Sequence, residues 1–239
     1  MPIKLGATNF GNIYLGSTQI VKAYVGSTKV YDKYPQQTTI TIGGKTYPTV
    51  TIGDQTWMAV NLDFYDSDII SHFYTSDSHA GIGGYSSGCM YLNYDGTTNG
   101  WNGNKYGMLY NATAVSQLSH YNLANGWDVP TQSDFLTLFN TLGGITHAGL
   151  KLKSTSGWAN GGNGDGSTAF NALPAGFAVI NGADAVIFNS ANQSTGFWSR
   201  TSGDLSTTKK AYTLSYSSDA AELCTTEAYY YSVRLIYKG

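Results

Sequence analysis

Four histidines, two cysteines and an Asn/Asp-bearing glycine stretch are the residues of this 239-residue chain whose types could do chemistry. A protease-like zinc site needs two histidines four apart on one helical face, with a further ligand nearby. His72, His79, His120 and His147 do not have that spacing, and no Cys or Glu accompanies them. His72 and His79 sit in a Ser/Asp-rich stretch that reads as loop. Cys89 and Cys224 cannot build a disulfide framework and read as two unpaired thiols. Asn160, Asn163 and Asp165 offer oxygen atoms to a hard cation, but side chains of this kind in glycine-rich loops more often bond their own backbone. No persuasive nucleophile, acid–base pair or metal set emerges. The expectation is a protein that binds and does not catalyse, with no catalytic residue, no metal and no cofactor.

Composition agrees with that expectation without proving it. Charged residues make up 12% against 41% hydrophobic, so the polar surface must be built from Ser, Thr, Asn, Gly and the 19 tyrosines. Tyrosine gives a large contact area at low rotamer cost, and Ser, Asn and Gly adapt around it, as in antibody loops. A net charge of -2, with no basic run longer than Lys209-Lys210, argues against a nucleic-acid partner. No apolar run approaches a membrane span, and the N-terminus has no signal-type apolar segment. The expectation is cytoplasmic synthesis without a signal peptide and no membrane insertion.

The elements that must position any site fall into two parts. Residues 1–35 repeat with a ten-residue period, Lys4-Leu-Gly-Ala-Thr-Asn-Phe10, Tyr14-Leu-Gly-Ser-Thr-Gln-Ile20 and Tyr24-Val-Gly-Ser-Thr-Lys-Val30. This predicts short antiparallel strands with tight turns at Gly6, Gly16 and Gly26. Such a meander cannot bury its own apolar face, so a homotrimeric stalk or docking base is one reading and packing on the rest of the chain the other. Tyr34-Pro35-Gln36-Gln37 reads as linker. In the second part, residues 36–239, Gly43-Gly44 marks a hairpin turn. A short helix is expected from Asn111 to Leu118. A second is expected after Thr131, with Asp134 completing a capping box, Leu136, Phe139 and Leu142 on the apolar face, and Gly143-Gly144 as the stop. Residues 157–166 read as a long surface loop. Strand-like runs cover 172–180, 195–200, 211–216 and 231–237. Asp54, Gln55 and Asn61 are expected to bond turn backbone, and Trp57, Trp127, Trp158 and Trp198 to stand in the core.

Six ordered blocks carry a resemblance. They are Thr51-Ile-Gly-Asp-Gln-Thr-Trp-Met-Ala-Val-Asn-Leu62, Tyr106-Gly-Met-Leu-Tyr-Asn111, Asn125-Gly-Trp-Asp-Val-Pro-Thr131, Ala172-Leu-Pro-Ala-Gly-Phe177, Phe197-Trp-Ser199 and Ser232-Val-Arg-Leu-Ile236. Together they resemble the major paralogous domain family first named from Fibrobacter. That family is similar to the C-type lectin fold and its formylglycine-generating-enzyme-like variant. The resemblance implies an α+β, C-type-lectin-like domain preceded by a small all-β repeat module, with first and last strands paired, two helices and a ligand-displaying loop region. Oxidase activity is not carried over, because such relatives use a cysteine pair and Cys224 stands alone. The histidine cluster of iron-dependent relatives is missing too. The Glu-Pro-Asn, Gln-Pro-Asp and Trp-Asn-Asp motifs of calcium-dependent lectins are absent.

The same fold resembles variable proteins of diversity-generating retroelements, which phages place at the tail tip, and Tyr-Val-Gly-Ser-Thr resembles modules that open phage tail proteins. The resemblance implies a receptor-binding adhesin in the virion. It would bind a bacterial surface receptor, protein or glycan, and join other tail proteins through residues 1–35 as a homo-oligomer, trimer favoured. A fibre-capping structural protein and a bacterial cell-surface lectin-like protein are the alternatives. The ligand-binding residues it implies are Ser199, Arg200, Ser202, Tyr212, Tyr216, Asp219, Thr225, Tyr229, Tyr230 and Tyr231, types reachable from adenine-rich codons and common in paratopes. Neighbouring rings on a strand point to opposite faces, so at most two of Tyr229, Tyr230 and Tyr231 serve one surface, with Tyr229 and Tyr231 preferred.

Overall fold

A computed structural model describes residues 38–74, 88–91, 103–121, 123–180, 186–205, 208–226 and 228–239, together with the backbone of four short strands before residue 33. The chain divides into two compact units, residues 1–37 with Gly239, and residues 38–238. In the first unit, β1 (Ile13–Leu15) pairs antiparallel with β2 (Thr18–Ile20), and β3 (Lys22–Val25) with β4 (Thr28–Asp32). Leu15 faces Thr18 and Val25 faces Thr28, so the second and third repeats each fold as two strands joined across two residues. The turn positions Gly6, Gly16 and Gly26 and the Tyr34–Gln37 linker lie outside the described residues.

The second unit is α+β. It begins with β5 (Thr39–Ile42), β6 (Lys45–Ile52) and β7 (Gln55–Met58), a meander in which Ile42 faces Lys45 and Ile52 faces Gln55. Positive φ at Gly43 and Gly44, +55° and +78°, gives the two-residue turn that matches strand twist. Next come β8 (His72–Tyr74), β9 (Gly88–Tyr91), the single helical turn α1 (Gly103–Tyr106), β10 (Met108–Tyr110), α2 (Ala112–His120) and β11 (Trp127–Asp128). Two further helices follow, α3 (Gln132–Thr141) and α4 (Ile145–Leu152), then β12 (Phe177–Ile180), β13 (Val186–Asn189), β14 (Ser194–Ser202), β15 (Lys209–Ser215), β16 (Ala221–Thr226), β17 (Tyr229–Ser232) and β18 (Ile236–Tyr237).

Both expected helices form where their caps sit. Asn111 Oδ1 accepts from Ala114 N at 2.8 Å and from Gly88 N at 3.1 Å, so the cap of α2 also holds β9. Thr131 and Asp134 complete the reciprocal box at α3. Helix α4 was not expected. It starts at the Gly143-Gly144 pair that reads as a stop and carries Gly149 in its middle, against helix propensity. Gly149 is required by packing, since a Cβ there would strike the Ala220 carbonyl. Phe139 and Leu142 are buried as expected for α3, but Leu136, expected beside them, is 42% exposed and Phe135 and Leu138 complete the buried face.

One sheet runs β16-β15-β14-β17-β10-β9-β8, with β12 also on β17 and β13 on β12. The other runs β11-β18-β7-β6-β5. The last strand thus pairs with β7 and β11, and the first strand β5 with β6. Segment 229–237 joins the two sheets. Tyr229 and Tyr230 pair with β12, Tyr231 and Ser232 with β10, and Ile236 with Trp57 of β7. Between them Leu62 N donates to Val233 O and Met58 N to Leu235 O. Trp57, Trp127, Trp158 and Trp198 are all buried, as their residue type led us to expect.

Arg234 lies within this crossing at 1% exposure. Its Nε donates to Asn61 Oδ1 at 2.8 Å, Nη2 to Asn171 O at 3.2 Å, and Nη1 to Phe170 O. The guanidinium stacks on the Phe170 and Phe197 rings at 4.2 Å and 5.2 Å. Burial pushes its pKa down to about 9, so it stays protonated at neutral pH. Asn61 Nδ2 donates to Tyr106 O and Ser232 Oγ, so this side chain joins distant core segments in place of the local turn expected for it. Gln55 likewise reaches across, donating to Asp134 O at 3.0 Å.

Candidate functional site

The ten expected binding residues separate into core, sheet end and turn. Four are buried. Ser199 is 0% exposed and its Oγ accepts from Thr201 N. Tyr212 is 2% exposed, its ring 4.9 Å from both Phe135 and Phe139 under α3. Tyr230 is 3% exposed, packs with Leu109, Ala175 and Ala178, and its Oη accepts from Asn111 Nδ2. Tyr231 is 4% exposed between Trp198 (5.3 Å) and Tyr229 (5.6 Å), and burial, with Cys224 beside it, raises its hydroxyl pKa. A side chain closed off from solvent offers a ligand no contact, so the expectation is corrected for Ser199, Tyr212, Tyr230 and Tyr231. The parity argument fits the strand: Tyr229 and Tyr231 share a face with Phe177, while Tyr230 turns to the other. Only Tyr229, half-buried, keeps access to solvent.

Besides Tyr229 on β17, the other five residues occupy two ends of the run of strands β14, β15 and β16. At one end stand Arg200, Ser202 and Thr225, all exposed. Ser202 faces Lys209 and Thr225 faces Lys210 in register. Arg200 Nη1 meets Asp128 Oδ2 at 3.0 Å, and Lys209 Nζ donates to Arg200 O. Burial lowers the Lys209 pKa, and Arg200 beside it lowers it further. At the other end, Tyr216 and Asp219 lie in the turn between β15 and β16. Six residues of strand separate the ends, about 20 Å, so no single small ligand spans them.

That turn is held from beneath. Lys153, only 2% exposed, donates from Nζ to Ser215 O at 3.1 Å and Ser218 O at 3.0 Å, and lies over the Trp158 ring. Burial lowers the Lys153 pKa, and Asp219 opposes the shift. Leu150 N of α4 donates to Asp219 O, and Tyr216 N to Gln193 O. A Cβ at Gly162 would sit on the Tyr216 carbonyl, so the glycine-rich loop packs against the turn backbone. The outward side carries Ser217 and Asp219, both exposed, with Ser215 Oγ 3.0 Å from Ser217 Oγ. A fixed turn that presents hydroxyls, a carboxylate and part of a tyrosine ring is suited to hydrogen bonding with a ligand, and little ordering remains to be done on binding. Lys153 carried no sequence signal, because its partners are carbonyls sixty residues away.

Two of the side-chain oxygens in the glycine-rich loop bond nearby backbone. Asn163 Oδ1 accepts from Trp158 N, and the exposed Asp165 Oδ1 from Ser167 N; hydrogen bonds from the Ser167 side chain and then its backbone hold the Asp165 carboxyl below its usual range. Among the described residues no three His, Cys, Asp or Glu side chains group to hold a metal ion. Cys89 is buried and Cys224 half-buried, both free. No curated protein and no solved structure matches the chain. A family model matches residues 50–237, from within β6 to the end of β18, and the chain belongs to the Fibrobacter succinogenes major domain family.

Proposed function

We propose that this chain is a receptor-binding protein with no enzymatic activity, and that it recognises a bacterial surface ligand through the exposed turn Ser215–Asp219 and the rim around it. The observation that carries this reading is the clamping of that turn by Lys153, which spends a buried cation on holding two exposed-turn carbonyls. A buried ammonium is costly unless its hydrogen bonds are made, so the arrangement favours a rigid displayed turn. The α+β architecture supports a C-type-lectin-like domain by resemblance. The ten-residue repeat supports a trimeric N-terminal module that joins a phage tail tip.

Genomic sequence tests the diversification part. A near-identical copy of the C-terminal coding segment, differing at adenines and lying beside a reverse transcriptase gene, is expected, with variable codons at Arg200, Ser202, Tyr216, Asp219 and Thr225 and few at the buried tyrosines. Binding is tested with labelled full-length chain on a panel of bacterial strains. Alanine at both Tyr216 and Asp219 should lower cell binding about tenfold or more with a stability change of about 1 kcal/mol, since the Tyr216 ring is only partly packed against the core. Unaltered binding sinks the assignment of the turn, and binding to no strain sinks the adhesin reading.

A further inference from the structure

A second surface lies on the irregular segment between Asn61 and Ile70 and on β8, the strand at the opposite end of the larger sheet from β16. The segment is anchored at both ends. Leu62 and Ile70 are 0% exposed, and the fully buried Tyr110 hydroxyl donates to Phe64 O at 2.9 Å and accepts from Phe64 N at 3.0 Å. Between the anchors, Asp66 Oδ1 accepts from Asp68 N at 2.9 Å, and Asp66 O accepts from Ile69 N and Ile70 N, which closes the turn. What remains outward is aromatic and acidic. Tyr65 is 38% exposed with its ring 5.3 Å from Phe73, and Tyr121, 45% exposed, donates from Oη to Asp68 O. Among the described residues these two are the exposed aromatic side chains, and one hydrogen bond ties them to the same turn.

Carboxylates outnumber bases along this stretch of the chain. Residues 46–150 contain eight aspartates and one Lys or Arg, Lys105, and three of those aspartates, Asp63, Asp128 and Asp134, pair with Lys45, Arg200 and Lys238 from outside the stretch. Among the described residues, neither Asp66 nor Asp68 is in an ion pair with a base. Tyrosine faces attract ammonium and guanidinium groups, and unpaired carboxylates at the rim add to the attraction and exclude anions. We propose that Tyr65, Asp66, Asp68, Phe73 and Tyr121 form a docking surface for a lysine- or arginine-bearing segment of a partner protein. Charge complementarity to the Asp66 and Asp68 carboxylates selects this occupant over a neutral glycan, which would gain nothing from their charge. The surface is independent of the turn Ser215–Asp219 and stands whether or not that turn binds a receptor.

The test uses the full chain and a fluorescent octalysine peptide, followed by fluorescence anisotropy at low ionic strength. The peptide should bind, and Asp66→Asn with Asp68→Asn should weaken it about tenfold. Asp66→Asn keeps the acceptor for Asp68 N, and thermal unfolding checks that the fold is retained. Tyr65→Ala with Tyr121→Ala should weaken it about fivefold, and Tyr121→Phe, which keeps the ring, much less. Asp219→Asn, on the other surface, should leave it unchanged. Peptide binding that ignores the patch variants overturns the proposal. So does loss of neutral-polysaccharide binding in the tyrosine variant with octalysine unaffected, which makes the patch a glycan platform. A fall in light-scattering mass in the patch variants also overturns it, because the occupant is then a second copy.

Discussion

Segments Tyr229–Ser232 and Ser215–Asp219 are both built from tyrosine and serine with little else, yet one is the centre of the protein and the other part of its surface. Strand β17 has neighbours on both edges, β10, β12 and β14, and the Tyr231 ring is sealed by Trp198 and Phe177 on one face and the Tyr230 ring by Leu109, Ala175 and Ala178 on the other. The turn has support on one side only, from Lys153 and the Gly162 loop. Residue type therefore does not separate a binding tyrosine from a core tyrosine. The number of sides on which the backbone is covered does.

The comparison is most easily broken at the buried segment. Tyr231→Ala removes a ring packed on three others and should cost about 3–5 kcal/mol in chemical denaturation; a loss below about 1 kcal/mol would place the ring at the surface. Arg234→Met keeps the apolar stem but leaves Asn61 Oδ1 and the Phe170 and Asn171 carbonyls without their donor. A loss of about 2–4 kcal/mol is expected from those buried acceptors. At the turn, Gly162→Ala should cost about 1–3 kcal/mol through the clash with Tyr216 O, and should speed hydrogen exchange at residues 215–219 more than elsewhere. The smallest effect sharpens the frame between the two regions. Burial disfavours the Asp134 carboxylate, but hydrogen bonds from Lys238 and from the Thr131 side chain and backbone outweigh it and hold the pKa below the usual range. A depressed folded pKa gives stability that is present above the unfolded value of about 4 and lost as pH falls through the folded one. Asp134→Asn should therefore cost about 1 kcal/mol near neutrality, and the difference from the parent protein should shrink in acid unfolding curves.

Local signals made much of the framework legible. The capping box at Thr131 and Asp134 and the turn at Gly43-Gly44 each involve residues within a few positions, and Trp57, Trp127, Trp158 and Trp198 are core by size alone, whereas the cap at Asn111 carried no separate signal beyond the composition of the helix after it. Helix α4 was hidden because Gly149 serves contact with Ala220, a reason that lies seventy residues downstream in the chain. Strand β16 was missed because Ala-Glu-Leu-Cys-Thr-Thr barely alternates and is extended by its pairing with β15. The candidate site was half legible. Arg200, Ser202, Tyr216, Asp219 and Thr225 are accessible to different degrees, whereas Tyr212, Tyr230, Tyr231 and Ser199 are covered by elements that no local pattern places over them. Arg234, a charged residue within the strand-like run 231–237, is enclosed by Phe170, Phe197 and Asn61, which no local pattern signals.

The most direct measurement compares one tyrosine from each region in the same two assays. Thermal unfolding and cell binding would be recorded for Tyr231→Ala and Tyr216→Ala on a strain that binds the parent chain. The account predicts a large loss of stability for Tyr231→Ala, and for Tyr216→Ala a loss of binding of about tenfold with a stability change within about 1 kcal/mol. Full binding by Tyr216→Ala, together with lost binding by a Tyr231→Ala protein as stable as the parent, would contradict it.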